Sequence, residues 1–167
     1  PKGIGALYVR SGVEIKPQIH GASQEMGLRA GTENVLLSVG LGVASELITA
    51  NLPQYAQNMR ERRAQLEEGL LKSGLDIRIN GHPVLRLPNT SSVGFAGEKA
   101  NDLLERWPGI AASAGAACHS DQVSISAGLQ AMNVPVEYAL GTIRFTVGRT
   151  TTEQDIEQAL EIIIKEK

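Results

Sequence analysis

The chain has 167 residues, 42% of them apolar, enough for a sizeable core and against wholesale disorder. Sixteen Lys and Arg against eighteen Asp and Glu leave a net charge of −2, which argues against a general nucleic-acid binder or a polybasic membrane module. One cysteine, Cys118, excludes an intramolecular disulfide framework and a multi-cysteine metal site. The expected setting is a soluble, reducing compartment, the cytoplasm. No apolar stretch is expected to approach the roughly 18 residues of a membrane-spanning helix, and the N-terminus has no signal-peptide pattern.

The opening run Ile4-Gly5-Ala6-Leu7-Tyr8-Val9-Arg10 reads as a buried strand. A domain seldom begins so abruptly on a buried strand, so the start is expected to belong to something longer. Residues 11–31 are polar and glycine-punctuated, with no sustained period, and read as a functional loop carrying His20, Gln24, Glu25 and Arg29. Residues 33–50 read as a helix apolar nearly all round, hence buried and closely packed. Thr32 is its expected N-cap. Pro53 suits either the first turn of a new helix or a kink in a continuing one. The apolar residues Leu52, Tyr55, Met59, Leu66 and Leu70 then make an amphipathic helix that stops at Gly74. Its Arg60-Glu61-Arg62-Arg63 run reads as a solvated face.

Beyond Gly74 strands and helices alternate. Strands are expected at 76–80, 89–95, 110–117 and 142–147, and helices at 98–106 and 125–132 and near the C-terminus. In the last strand Ile143, Phe145 and Val147 share one face, and Arg144 and Thr146 the other. A capping box is expected at the final helix, from Thr150 with Glu153 or Thr151 with Gln154. The fold class is α/β, with residues 74–167 forming an α+β small domain, 32–73 connecting helices, and 1–31 the end of a larger domain.

Three features carry possible chemistry. Cys118 follows the small residues Ser113-Ala114-Gly115-Ala116-Ala117 and precedes His119-Ser120-Asp121. A thiol where a strand meets a polar loop is accessible, and a protonated His119 would favour the thiolate; a lone cysteine also suits a small buried hydrophobe. Arg144 can clamp a carboxylate in bidentate fashion, or form a surface ion pair. Thr32, at a helix N-terminus, can hold a phosphate or only cap. Arg149 reads as structural, and His82 and Trp107 as packing or surface residues. Three scattered histidines make a metal site improbable on composition.

In these segments the chain resembles the fold-type I, pyridoxal-phosphate-dependent cysteine desulfurases and selenocysteine lyases of the class V aminotransferase family. The segments are Pro1 to Arg10, Gly21-Ala22-Ser23-Gln24-Glu25 through Arg29-Ala30-Gly31-Thr32-Glu33-Asn34, Leu87-Pro88-Asn89-Thr90, Ser113 to Cys118, and Ile143-Arg144-Phe145-Thr146-Val147-Gly148-Arg149. The resemblance implies that Cys118 attacks the sulfur or selenium of the substrate and carries it as a persulfide. It implies that Arg144 binds the substrate carboxylate, and that Thr32 reaches the cofactor phosphate across a homodimer. L-cysteine or L-selenocysteine is the implied substrate, and a sulfur-acceptor protein the implied partner, as in iron–sulfur cluster assembly. No nucleic acid or membrane is expected. The family's Schiff-base lysine follows a Ser-x-His upstream of the Pro1-Lys2-Gly3 stretch. It would precede Pro1, and Lys2 does not replace it, so this chain alone is expected to be inactive. Ala22-Ser23 replaces the more usual glycines, and the Cys118-His119-Ser120-Asp121 run leans towards the selenocysteine lyases. The competing reading is a persulfide carrier or interaction domain without cofactor chemistry; a third is a structural remnant with an unreactive thiol.

Overall fold

The computed structural model describes residues 1–115, 117–119 and 122–165; for 117–119 and 122–124 the description is of the backbone. By internal packing the chain divides into two compact units, Pro1–Leu52 and Pro53–Lys167. The boundary falls inside one continuous helix, α1 (Val35–Lys72), which carries Pro53 in its interior. Of the two roles open to Pro53, the position within a continuing helix is therefore the one adopted.

In the first unit the expected strand is absent. Residues 4–10 have no strand partner, and Leu7 and Tyr8 are 79% and 87% exposed. A strand exists only where a neighbour takes up its backbone donors and acceptors, and none of the described residues does so here. The loop that follows is tied by a single bridge between Ile19 and Arg29 and by a 3-10 turn at Glu25–Gly27. Thr32 is not the helix cap. Asn34 is: its side-chain oxygen accepts from Leu37 N at 3.2 Å and its carbonyl from Ser38 N at 2.9 Å. The apolar first half of α1 is also not buried. Val35, Leu36, Val39, Val43, Leu47 and Ile48 are all exposed, because the irregular chain of this unit offers no face large enough to cover them. By length and composition α1 is apolar enough to cross a membrane, which corrects the expectation that no stretch approaches that size. The same composition suits a helix covered by other protein surface.

The second unit is built on a four-stranded antiparallel sheet. Its strands are β1 (Ile77–Ile79), β2 (Thr90–Phe95), β3 (Ser113–Ala114) and, after the hairpin β4 (Ala117–His119) and β5 (Gln122–Ser124), β6 (Thr142–Thr146). The order across the sheet is β1-β2-β6-β3. The helices are α2 (Ala100–Arg106), the short α3 (Ala127–Ala131) and α4 (Val136–Ala139), and α5 (Glu153–Lys165). The registers Val93↔Ile143 and Ser91↔Phe145 set the apolar residues of β2 and β6 on one face. That face packs into a buried core with Leu66 and Leu70 of α1, Leu103 of α2, and Ile156 and Ile163 of α5. Trp107, 1% exposed, packs edge-on against Phe95 with ring centroids 5.3 Å apart, a packing role as expected. The opposite face is partly roofed by α4, which lies so close that a Cβ on Gly94 would come within 2.8 Å of the Tyr138 carbonyl oxygen. Tyr138 is held there by its hydroxyl, which donates to Asp76 at 2.8 Å.

Two local expectations are corrected. Arg63 does not belong to a solvated face: its side chain is 11% exposed and donates to the Leu87 carbonyl at 2.7 Å. Beside it Glu67 accepts from Arg86 and from Ser91, both at 2.6 Å, and so pins the 81–88 loop and β2 to α1. Burial, reinforced by the Arg86 charge, holds the Arg63 guanidinium pKa below its ordinary value against the opposing pull of Glu67. The capping box of α5 is formed by Thr152 and Asp155. Thr152 Oγ accepts from Asp155 N at 3.2 Å, and the Asp155 carboxylate accepts from Thr152 N and Oγ at 2.8 Å each. Thr151 is occupied one turn earlier, accepting from Gly148 N at 2.9 Å.

Removal of the Glu67 carboxylate leaves two guanidinium groups facing each other with little solvent. Glu67→Ala is expected to lower unfolding stability by about 2–3 kcal/mol, read from the urea midpoint; a loss below about 0.5 kcal/mol would show the cluster to be incidental. The backbone and side-chain hydrogen bonds from Thr152 lower the Asp155 pKa. A lowered carboxylate pKa stabilises the fold above its unfolded value, near 3.9, and that contribution disappears as pH falls through the folded value. Asp155→Ala should therefore unfold at lower urea than the parent at neutral pH, with the gap closing in acid. A gap of constant size across that range would contradict the assignment.

Candidate functional site

The sheet face opposite the main core carries the polar residues. Because side chains alternate along a strand, Thr142, Arg144 and Thr146 of β6 point away from the core that Ile143 and Phe145 enter. Pairing then sets Arg144 opposite Ser92 of β2 on one side and opposite Ser113 of β3 on the other. Asn80 extends this row at the end of β1, where its backbone N–H donates to the Ser92 carbonyl at 2.8 Å. One polar residue from each strand thus forms a transverse row: Asn80, Ser92, Arg144, Ser113.

The row is graded in burial. Asn80 is 4% exposed, and its Nδ2 donates to Ser92 Oγ at 3.4 Å and to Thr142 Oγ1 at 3.3 Å. Thr142 Oγ1 in turn donates to the Tyr138 carbonyl at 2.8 Å. Arg144 lies at the exposed end, and Nη2 donates to Ser113 Oγ at 3.3 Å. Among the described residues no carboxylate pairs with it, so the surface ion-pair alternative has no acidic partner there. A guanidinium has five N–H donors; among the described residues that of Arg144 is bonded to Ser113 alone, and the residue is exposed, which leaves donors for a carboxylate.

Gly115, directly after β3, donates its N–H to the Thr142 carbonyl at 2.6 Å, and a Cβ there would lie 2.5 Å from Thr142 Cγ2. Only glycine allows this approach. Cys118 does not end a long sheet strand, as 110–117 had implied. It lies at the middle of β4, paired in register with Val123 of β5. The small residues expected to continue the strand instead turn into a separate hairpin. The Cys118 side chain, its relation to His119, and residues 120 and 121 lie outside the described residues.

In the first unit the glycine-rich loop brings Gln24, Arg29, Gly31 and Thr32 together. Gln24 Oε1 accepts from Gly31 N at 3.0 Å, and Arg29 Nη1 donates to the carbonyls of Gly31 at 2.8 Å and Thr32 at 3.4 Å. Glu25 and Met26 both adopt positive φ, 52° and 58°, which is uncommon outside glycine and marks a constrained turn. Thr32 is exposed, two residues before the Asn34 cap. His20 is exposed and makes no described side-chain bond. His82, expected to be a packing or surface residue, closes its own turn through Nδ1, which accepts from Val84 N at 3.0 Å and Leu85 N at 2.9 Å.

The residues that sequence reasoning missed are Asn80, Ser92 and Ser113. Ser113 stood out as a small polar residue between alanines, whereas the sequence does not tell Ser92 from its core-facing neighbour Ser91; their alignment with Arg144 needed the register.

Comparison with known proteins gives a consistent result. The family model described as aminotransferase class-V matches residues 1–159. A cysteine desulfurase of Gluconacetobacter diazotrophicus is 46% identical over 166 residues, and a cysteine desulfurase of Methanosarcina thermophila is 45% identical over 165. Each alignment covers 98% of this chain and 41% of the relative, so the chain spans about two fifths of the length of these relatives. Among solved structures a NifS-like protein superposes with a TM-score of 0.82 at 34% identity, covering 95% of this chain and 40% of the other. A NifS-like protein of Rickettsia africae gives 0.79 at 32%, covering 92% and 40%.

Because Arg144 is exposed and supports no core contact, Arg144→Gln is expected to leave unfolding stability within about 0.5 kcal/mol of the parent. A larger loss in the urea midpoint would mean that the arginine holds the sheet together rather than awaiting a ligand.

Proposed function

The chain belongs to the aminotransferase class-V family, and on that premise we propose that it forms the C-terminal, substrate-facing part of a pyridoxal-phosphate-dependent cysteine desulfurase. The observation that carries the reading is Arg144, an exposed guanidinium in a polar row of the sheet, with no acid beside it among the described residues. Relatives named as cysteine desulfurases support the reaction class.

In this reading 1–31 close the larger domain, 32–73 connect, and 74–167 form the small domain. Arg144 takes the α-carboxylate of L-cysteine and orients it. Cys118, as a thiolate, attacks the substrate sulfur: an S–S bond forms, the substrate C–S bond breaks, and alanine leaves once its β-carbon is protonated. The persulfide on Cys118 then passes to an acceptor protein. Thr32 is exposed, and Arg29, whose Nη1 donates to the Gly31 and Thr32 carbonyls, belongs to the same loop, so a hydroxyl and a cation close in the chain are available to a phosphate. They would hold the cofactor phosphate, with Thr32 contributed across a homodimer. Pyridoxal phosphate, when bound, supplies the electron sink for the substrate. The cytoplasm is the proposed location, where a thiol chemistry of this kind stays reduced. L-selenocysteine is the second candidate substrate, favoured by the Cys118-His119-Ser120-Asp121 sequence.

In the full holoenzyme Cys118→Ala should abolish sulfur release from L-cysteine, while Arg144→Gln should raise KM roughly tenfold to a hundredfold, the loss of a charge-assisted hydrogen-bond pair. Steady-state assay of alanine formation reads both. Normal turnover of the Cys118→Ala protein would sink the assignment.

A further inference from the structure

Resting on the clamp reading of Arg144, we propose that Ser113 is its positioning residue. An arginine side chain has several rotatable bonds and gives up rotamer freedom when held in one geometry. Left alone on an exposed strand, Arg144 would spread that freedom over many orientations, and a carboxylate would have to select one. Ser113 restricts it. The two residues are directly paired across β3 and β6, and Ser113 Oγ accepts from Arg144 Nη2 at 3.3 Å.

The choice of side chain matters. An aspartate at 113 would orient the guanidinium more strongly, yet its negative charge would occupy the arginine and repel the incoming carboxylate. A hydroxyl uses one N–H and leaves the full positive charge, with four further donors, for the ligand. Ser92, on the other flank, is likewise neutral, and it is tied by Asn80, which is itself buried and bonded to Thr142. The arginine therefore stands between two hydroxyl-bearing strands with no competing acid in the row. Ser113 also precedes Cys118 by five residues, so the same hydrogen bond fastens the root of the cysteine-bearing segment to the clamp.

The test is a double-mutant cycle in the full holoenzyme. Ser113→Ala should raise KM for L-cysteine about three- to tenfold, the scale of one hydrogen bond to a charged group, with kcat within about twofold. The Kd for the product L-alanine, measured by calorimetry on the Cys118→Ala background, should rise by the same factor. Ser113→Thr, which keeps the hydroxyl, should restore both values. In an Arg144→Gln background Ser113→Ala should add nothing. An unchanged KM and Kd in Ser113→Ala, alongside an impaired Arg144→Gln, would overturn the positioning role alone. An equal effect of Ser113→Ala with and without the arginine would also overturn it. An Arg144→Gln protein with unaltered KM would overturn the clamp, and the positioning role with it.

Discussion

The antiparallel register of β6 between β2 and β3 governs the second unit. With Ile143 opposite Val93 and Ala114, the apolar residues of three strands fall on one face and close the core with α1, α2 and α5. The same register sends Arg144 to the other face, between Ser92 and Ser113. Since strand side chains alternate with a period of two, a slip by one residue would bury the guanidinium and expose Ile143 and Phe145. Burying an unpaired charge is costly enough to forbid that arrangement. Core packing and placement of the arginine are therefore one decision, made by one set of hydrogen bonds.

The polar interior supports that decision at the sheet's other side. Glu67 receives Arg86 and Ser91 on the core-facing side of β2, with Arg63 close by. Asn80 and Thr142 do comparable work on the opposite side, under the roof supplied by Tyr138. Strand β2 is thus held by side-chain hydrogen bonds on both faces. That leaves Ser92, which flanks Arg144, with a defined backbone position. The chemistry proposed for this region would need such rigidity, because a clamp confers orientation only to the extent that its own support does not move.

The first unit shows the reverse condition. Its long helix is apolar on the sides that an amphipathic surface helix would keep polar, and those sides are exposed. An exposed apolar surface of this extent is unusual for a surface that faces water alone.

Sequence periodicity was sufficient for what depends on neighbours along the chain. The alternation at 142–147 and the stop at Gly74 were legible, because each rests on residue type and spacing; Cys118, Arg144 and Thr32 were candidates by residue type and by resemblance. Caps were harder. Asn34 rather than Thr32, and Thr152 rather than Thr150 or Thr151, cap their helices, where neighbouring Thr and Asn side chains offer nearly equal local options. The opening strand, the burial of the first helix half and the solvation of Arg63 depend on what lies opposite in space, and periodicity carries no such information. By itself, then, the sequence determined the alternation of strands and helices beyond Gly74 in outline and the family-like motifs. Only the tertiary structure decided which strands pair and in what register, and so which hydroxyls face Arg144, because pairing joins residues up to several dozen positions apart whose identities impose no local pattern on one another.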